Sequence, residues 1–217
     1  GIDFVHLEQI VKTLPEHYSV CDINRLICVD RIIPLKNQAF LVKVLKHLPM
    51  SRLVIVGSQD KSGYLDDVIR EAGVKDRIEY TGLVKRDKVY EELNRSGIYV
   101  SASTIEGLHN SVLEAMGIGT IPVVSAIPAH SEIANKVGGV FLLPFNEKLW
   151  ADEILKIQNS DKETLSAISR DISQRVKNEF SLAKMHQIFY HLYREMASES
   201  NGLEDGSTKE TYHGNGS

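Results

Sequence analysis

At 217 residues the chain has room for one substantial α/β domain rather than two complete ones, and 42% hydrophobic with 25% charged residues excludes the disordered and fibrous classes. A formal charge of −4 supplies no basic stripe to neutralise a phosphate backbone, so a nucleic-acid partner is disfavoured. No apolar run reaches the roughly 18 residues of a membrane span, Gly1-Ile2-Asp3-Phe4 is not a leader segment, and Cys21 and Cys28 fit neither a CxxC knuckle nor a disulfide framework. A soluble cytoplasmic protein with two reduced thiols is expected, and the missing initiating Met suggests a piece of a larger one.

Residues 1–24 mix polar and apolar positions, are interrupted by Pro15, and read as a connecting arm with one short helix before the first buried strand. Leu26-Ile27-Cys28-Val29 is then a short apolar strand, followed by a loop and by helical spacing over 40–45. The unit recurs. Residues 53–56 are a β-branched strand ending at Gly57, and 64–72 have helical spacing up to Gly73. Strands are expected at 78–80, 98–100, 121–124 and 140–143, and helices at 89–94, 111–116 and 130–134. This alternation predicts right-handed crossovers and a doubly wound parallel α/β sheet covered on both faces. Amphipathic helices over 147–158, 161–180 and 182–196 would dock on it, so the domain spans 25–197, and the polar, glycine-rich stretch 198–217 is expected to be a disordered tail.

In open parallel sheets ligands bind beyond the carboxyl ends of the strands, which directs attention to four loops. Asp30-Arg31-Ile32-Ile33-Pro34-Leu35-Lys36 places a guanidinium and an ammonium in one loop, a pair able to neutralise a diphosphate or simply to be solvated. Gly57 lets backbone approach a ligand, although no GxGxxG accompanies it, which argues against a dinucleotide cofactor. Thr81-Gly82-Leu83-Val84 is either a plain turn or a place where main chain at Leu83 and Val84 reads the edge of a base.

The fourth loop runs Ser103-Thr104-Ile105-Glu106-Gly107-Leu108-His109-Asn110-Ser111-Val112-Leu113-Glu114. Gly107 permits a bend, Asn110 is a candidate N-cap, and the helix start would aim free N–H groups and its positive dipole end at an anion. Glu114 falls on the apolar side of that helix, where a carboxylate needs hydroxyl or cation partners. Glu106 lies on the preceding loop, so both acids are expected to face one cavity.

Together these residues resemble the C-terminal domain of glycosyltransferase family 4, which has the two-domain GT-B fold. The resemblance runs from about Leu26 to Asn146. The family's GR…KG segment matches Asp30-Arg31…Lys36-Asn37, its glycine-ended strand 53–57, its F-x-G-x-V stretch Tyr80-Thr81-Gly82-Leu83-Val84, its E-x7-E motif Glu106…Glu114, and its G-x-x-E-I box Ala129-His130-Ser131-Glu132-Ile133. The resemblance implies a retaining transferase that uses a nucleotide-sugar donor, UDP- or GDP-linked, with no cofactor and no required metal. Arg31 and Lys36 would hold the diphosphate, Glu106 the donor sugar and Glu114 the ribose, with Gly57, Leu83, Val84, Gly107, Leu108, His109, Asn110 and Ser111 lining the donor site. The sequence departs from the pattern at Asp30 and Asn37, where the family usually has Gly, and at His109, where Gly-Phe-Gly becomes Gly107-Leu108-His109.

The partners implied are the donor and an N-terminal acceptor-binding domain absent from these 217 residues, without which the chain is expected to be inactive; a full-length protein would be compatible with peripheral membrane association. Two other readings stand beside this one: a non-hydrolysing sugar-nucleotide epimerase of similar architecture, and a non-catalytic nucleotide-binding or regulatory domain.

Overall fold

In the computed structural model, which describes residues 2–14, 21–59 and 63–204, six parallel strands form one sheet in the order β3-β2-β1-β4-β5-β6. These are β1 (Asp22–Val29), β2 (Arg52–Val56), β3 (Ile78–Gly82), β4 (Ser96–Ser101), β5 (Ile121–Ser125) and β6 (Phe141–Leu143). The order reverses between β1 and β4, so their carboxyl ends border the switch-point crevice of a doubly wound sheet.

Side chains alternate across the sheet with the two-residue period of a strand. Leu26 and Cys28 join Leu53, Ile55, Ile98, Val100, Ile121 and Val123 in the core on one face. Ile27 joins Val54, Val56, Tyr99 and Val124 on the other. The first core is covered by α2 (Gln38–Lys46), α3 (Asp66–Ala72) and α7 (Glu147–Gln158), with Trp150 and Phe40 ring to ring at 5.2 Å. The second is covered by α1 (Phe4–Val11), α4 (Arg86–Asn94), α5 (Asn110–Ile118), α6 (Pro128–Val137) and α8 (Lys162–Phe180).

Three expectations change. Residues 2–11, read as part of a connecting arm, pack on the domain: the Asp3 carboxylate caps α1 through the His6 N–H, Phe4 and Leu7 are buried, and Ile2 pairs with Ser181. Apolar burial fixes this segment, and only the tertiary partner reveals it. Pro15 lies outside the described residues. The last helix, α9 (Leu182–Glu204), continues into the stretch expected to be a disordered tail; 205–217 lie outside the described residues. Finally, Asn110 is not the N-cap of α5. It is the first helical residue, and His109 (φ −82°, ψ 86°) occupies the cap without a side-chain bond to the helix.

Candidate functional site

The loop after β1 turns through a short 3-10 helix, Pro34–Lys36, and enters α2 through Asn37 at φ 50°, ψ 38°. That left-handed conformation suits glycine and is tolerated by asparagine, so Asn37 serves where the family pattern has Gly. Gln38 Nε2 donates to the Arg31 carbonyl at 2.8 Å and closes the loop. Across the crevice, the N–H and hydroxyl of Thr104 both donate to the Leu35 carbonyl, at 2.9 and 3.1 Å. This strap brings the β4 loop to the β1 loop.

Lys36 and Glu106 meet there. Lys36 Nζ lies 2.5 Å from Glu106 Oε1 and 2.7 Å from Asp30 Oδ1. Burial alone would lower this ammonium, but hydrogen bonds to Asp30 and Glu106 outweigh it and hold Lys36 above the usual lysine value. His109 Nε2 lies 3.1 Å from Asp30 Oδ2 and 3.7 Å from Glu106 Oε1. Asp30, Glu106 and His109 offer three atoms within 4.8 Å of one another, a spacing suited to a cation, but the Lys36 ammonium already bridges the two carboxylates. Arg31, by contrast, is exposed, and its guanidinium has no partner among the described residues.

Beside this cluster is a small cavity of about 200 Å³ lined by Asp30, Arg31, Gly57, Ser58, Leu83 and Val84, among others. Gly57, at φ 148°, is needed for a reason the sequence does not show, because a Cβ would stand 2.0 Å from the Asp30 carbonyl oxygen. Close packing of β2 against the β1 loop therefore demands glycine here, whatever binds. Gly82 leaves β3 at φ 69°, and Leu83 is 83% exposed. Gly107 has no left-handed φ and no atom within 4 Å of where a Cβ would point, so the bend itself does not require it; Leu108 beside it is exposed.

Glu106 and Glu114 do not share an environment. Glu114 is buried, with Arg86 at 2.5 Å and the Tyr90 hydroxyl at 3.4 Å, the cation and hydroxyl that a carboxylate on an apolar face requires. Burial raises its pKa against the lowering influence of Arg86. The two acids of the motif thus hold different cations, Lys36 from the loop after β1 and Arg86 from the start of α4. Ser111 bonds the Tyr99 hydroxyl at 2.9 Å.

Sequence reading missed Arg86, Tyr90, Tyr99 and His130. Tyr99 looks like any strand aromatic, yet burial and then the Asp30 charge push its hydroxyl well above its ordinary pKa. His130, at the start of the helix expected over 130–134, is fully buried in α6, and its ring lies edge to edge with that of His109, 5.1 Å between centroids. Only the fold brings these side chains to the loops.

Comparison with known proteins matches residues 18–175 to the family described as Glycosyl transferases group 1. An uncharacterised glycosyltransferase of Methanocaldococcus jannaschii is 26% identical over 178 residues, 75% of this chain and 46% of the relative. A D-inositol 3-phosphate glycosyltransferase of Mycobacteroides abscessus is 30% identical over 132 residues, 58% of this chain and 30% of the relative. The chain thus spans under half the length of each. Among solved structures, HepE of Anabaena in complex with UDP and glucose superposes with TM-score 0.72 at 17% identity, over 89% of this chain and 55% of that one. Sucrose-phosphate synthase of Thermosynechococcus elongatus superposes with TM-score 0.76 at 19% identity, over 92% and 52%. Such likeness establishes the fold, the doubly wound sheet of GT-B glycosyltransferases, and with most of its sequence matched the chain belongs to the glycosyl transferases group 1 family.

Proposed function

We propose that the chain is the donor-binding half of a retaining glycosyltransferase that moves a sugar from a nucleoside diphosphate sugar. The observation that carries this reading is the switch-point crevice itself. There the Lys36 ammonium meets the loop that leads into α5, whose free N–H groups favour an anion, and the exposed Arg31, whose guanidinium has no partner among the described residues, lines the adjoining cavity. The small cavity beside them, lined by Gly57, Leu83 and Val84 among others, suits a base read by backbone. Glu106 would take donor-sugar hydroxyls and Glu114 the ribose. Fixed cations stabilise a departing diphosphate without a metal, the role Lys36 and Arg31 are assigned here.

The acceptor side would come from a second domain, consistent with the chain's share of its relatives' length. The exposed apolar side chains of α9, among them Ile188, Phe189, Leu192, Tyr193 and Met196, fit a helix face that packs against such a domain. The Lys36 ion pairs also favour a second reading, a nucleotide-binding domain without catalysis, because the cation is already neutralised.

Calorimetric titration with UDP-glucose and GDP-mannose tests the proposal. One of them is expected to bind, with affinity reduced about tenfold or more by Lys36→Ala and several-fold by Glu114→Ala. No binding to either sinks the donor reading. Sugar transfer by the 217-residue chain alone would remove the need for a second domain, and a longer protein carrying both halves that binds donor without transfer would favour the non-catalytic reading.

A further inference from the structure

Two positions at which the sequence departs from the family pattern, Asp30 and His109, come from different strand ends and touch, with Asp30 Oδ2 3.1 Å from His109 Nε2. The proton inventory of this pair follows from the ring behind it. His130 Nδ1 lies 2.7 Å from the Ser125 carbonyl oxygen, which only accepts, so that nitrogen carries a hydrogen. The Ser125 hydroxyl, 3.4 Å from the same nitrogen, donates to the Ser103 carbonyl at 2.6 Å and offers His130 only a lone pair. Burial, partly opposed by the Ser125 carbonyl, pushes His130 down to about 4 and keeps the ring neutral. Its Nε2 is therefore an acceptor.

His109 Nδ1, 2.8 Å away, must donate to it. The other nitrogen of His109 faces the Asp30 carboxylate at 3.1 Å and Glu106 Oε1 at 3.7 Å, with the Tyr99 hydroxyl at 3.4 Å. A neutral ring would turn a lone pair toward two carboxylates. The other oxygen of Asp30 lies 2.7 Å from the Lys36 ammonium. The groups around His109 are thus Asp30 from the β1 loop, Glu106 and Tyr99 from β4 and its loop, His130 from α6, and Lys36 through both acids. The start of α5 opposes a cation with about half a charge, less than two carboxylates within 4 Å supply.

We propose that His109 is held as an imidazolium whose charge cancels Asp30, so that with Lys36 balancing Glu106 the charge of Arg31 is left uncancelled before the donor's diphosphate. With the proton, Asp30 and Glu106 are balanced by Lys36 and His109; without it the cluster carries one net negative charge facing an anionic ligand. His109 acts through Asp30 and is a positioning residue. This rests on the donor-site reading and deepens it, by making donor binding depend on a proton held within the protein.

Nitrogen-15 spectra of the histidine rings, assigned with His109→Gln, read the proton directly. At pH about 7, His109 is expected to show two protonated nitrogens and His130 a single N–H, on Nδ1. In parallel, UDP-glucose and GDP-mannose, whose diphosphate charge is constant, are titrated from pH about 6 to about 9. Wild-type affinity is expected to fall about tenfold across that range. His109→Gln should bind weakly and without pH dependence, and Asp30→Asn should keep its affinity at high pH, a rescue that a purely structural role would not produce. A neutral His109 ring, or a flat wild-type profile, overturns the inference. If wild type binds neither sugar nucleotide, the donor reading fails and the ring spectrum alone decides the protonation.

Discussion

Gly57 leaves β2 at φ 148°, and any side chain there would meet the Asp30 carbonyl at 2.0 Å. The same backbone is tied by hydrogen bonds from Asp30 N to Val56 O and from Gly57 N to Gly82 O, at 2.9 and 3.0 Å, so it has little room to yield. Gly57→Ala is expected to cost about 3 kcal/mol or more, combining positive φ with a backbone clash. Urea unfolding checks this; a loss below about 1 kcal/mol would show that the β1 loop moves freely. Glu114 shows the opposite dependence, on partners rather than space. Its burial was legible from the apolar residues around it, but Arg86 and Tyr90 stand on another helix, and no spacing rule connects them.

At the scale of elements, α1 was the least legible part of the chain because its sequence is short and mixed, yet it packs directly on α5. Gly117 is the contact: a Cβ there would come within 2.6 Å of the Phe4 ring. Gly117→Ala and Phe4→Leu should each destabilise by roughly 1–2 kcal/mol, one by overpacking and the other by leaving space. The double variant should cost less than the sum by at least about 0.5 kcal/mol, because the smaller side chain receives the added methyl. Strict additivity in thermal or urea unfolding would mean that α1 does not sit on α5. The strands, by contrast, were read close to their observed positions. The apolar runs of the four inner strands are buried on both faces, and the two-residue alternation between the cores follows from the pleat itself.

For the whole molecule, the buried histidine links stability to pH. His130 is held down to about 4 by burial, against an ordinary value near 6.5 in the unfolded chain. Between those values the unfolded chain binds a proton that the folded chain does not, so stability falls as pH drops from about 6.5 to about 4, by roughly 3 kcal/mol at most. Comparing wild type with His130→Asn by chemical unfolding across that window should show the slope reduced in the variant. An unchanged slope would mean that other groups carry the acid sensitivity.

The parallel sheet, its order of strands and helices, and the four loops beyond the strand ends were determined by sequence, because periodicity, β-branching and glycine punctuation act over a few neighbouring residues. The pattern of Arg31, Lys36, Glu106 and Glu114 belongs to that same local information. What those groups touch was decided only by the fold: Lys36 between Asp30 and Glu106, Glu114 on Arg86, and His109 between Asp30 and the His130 ring. These partners are separated by up to 79 residues, and charge pairing and hydrogen bonding depend on distance in space, which a one-dimensional sequence does not carry until the sheet brings its loops together.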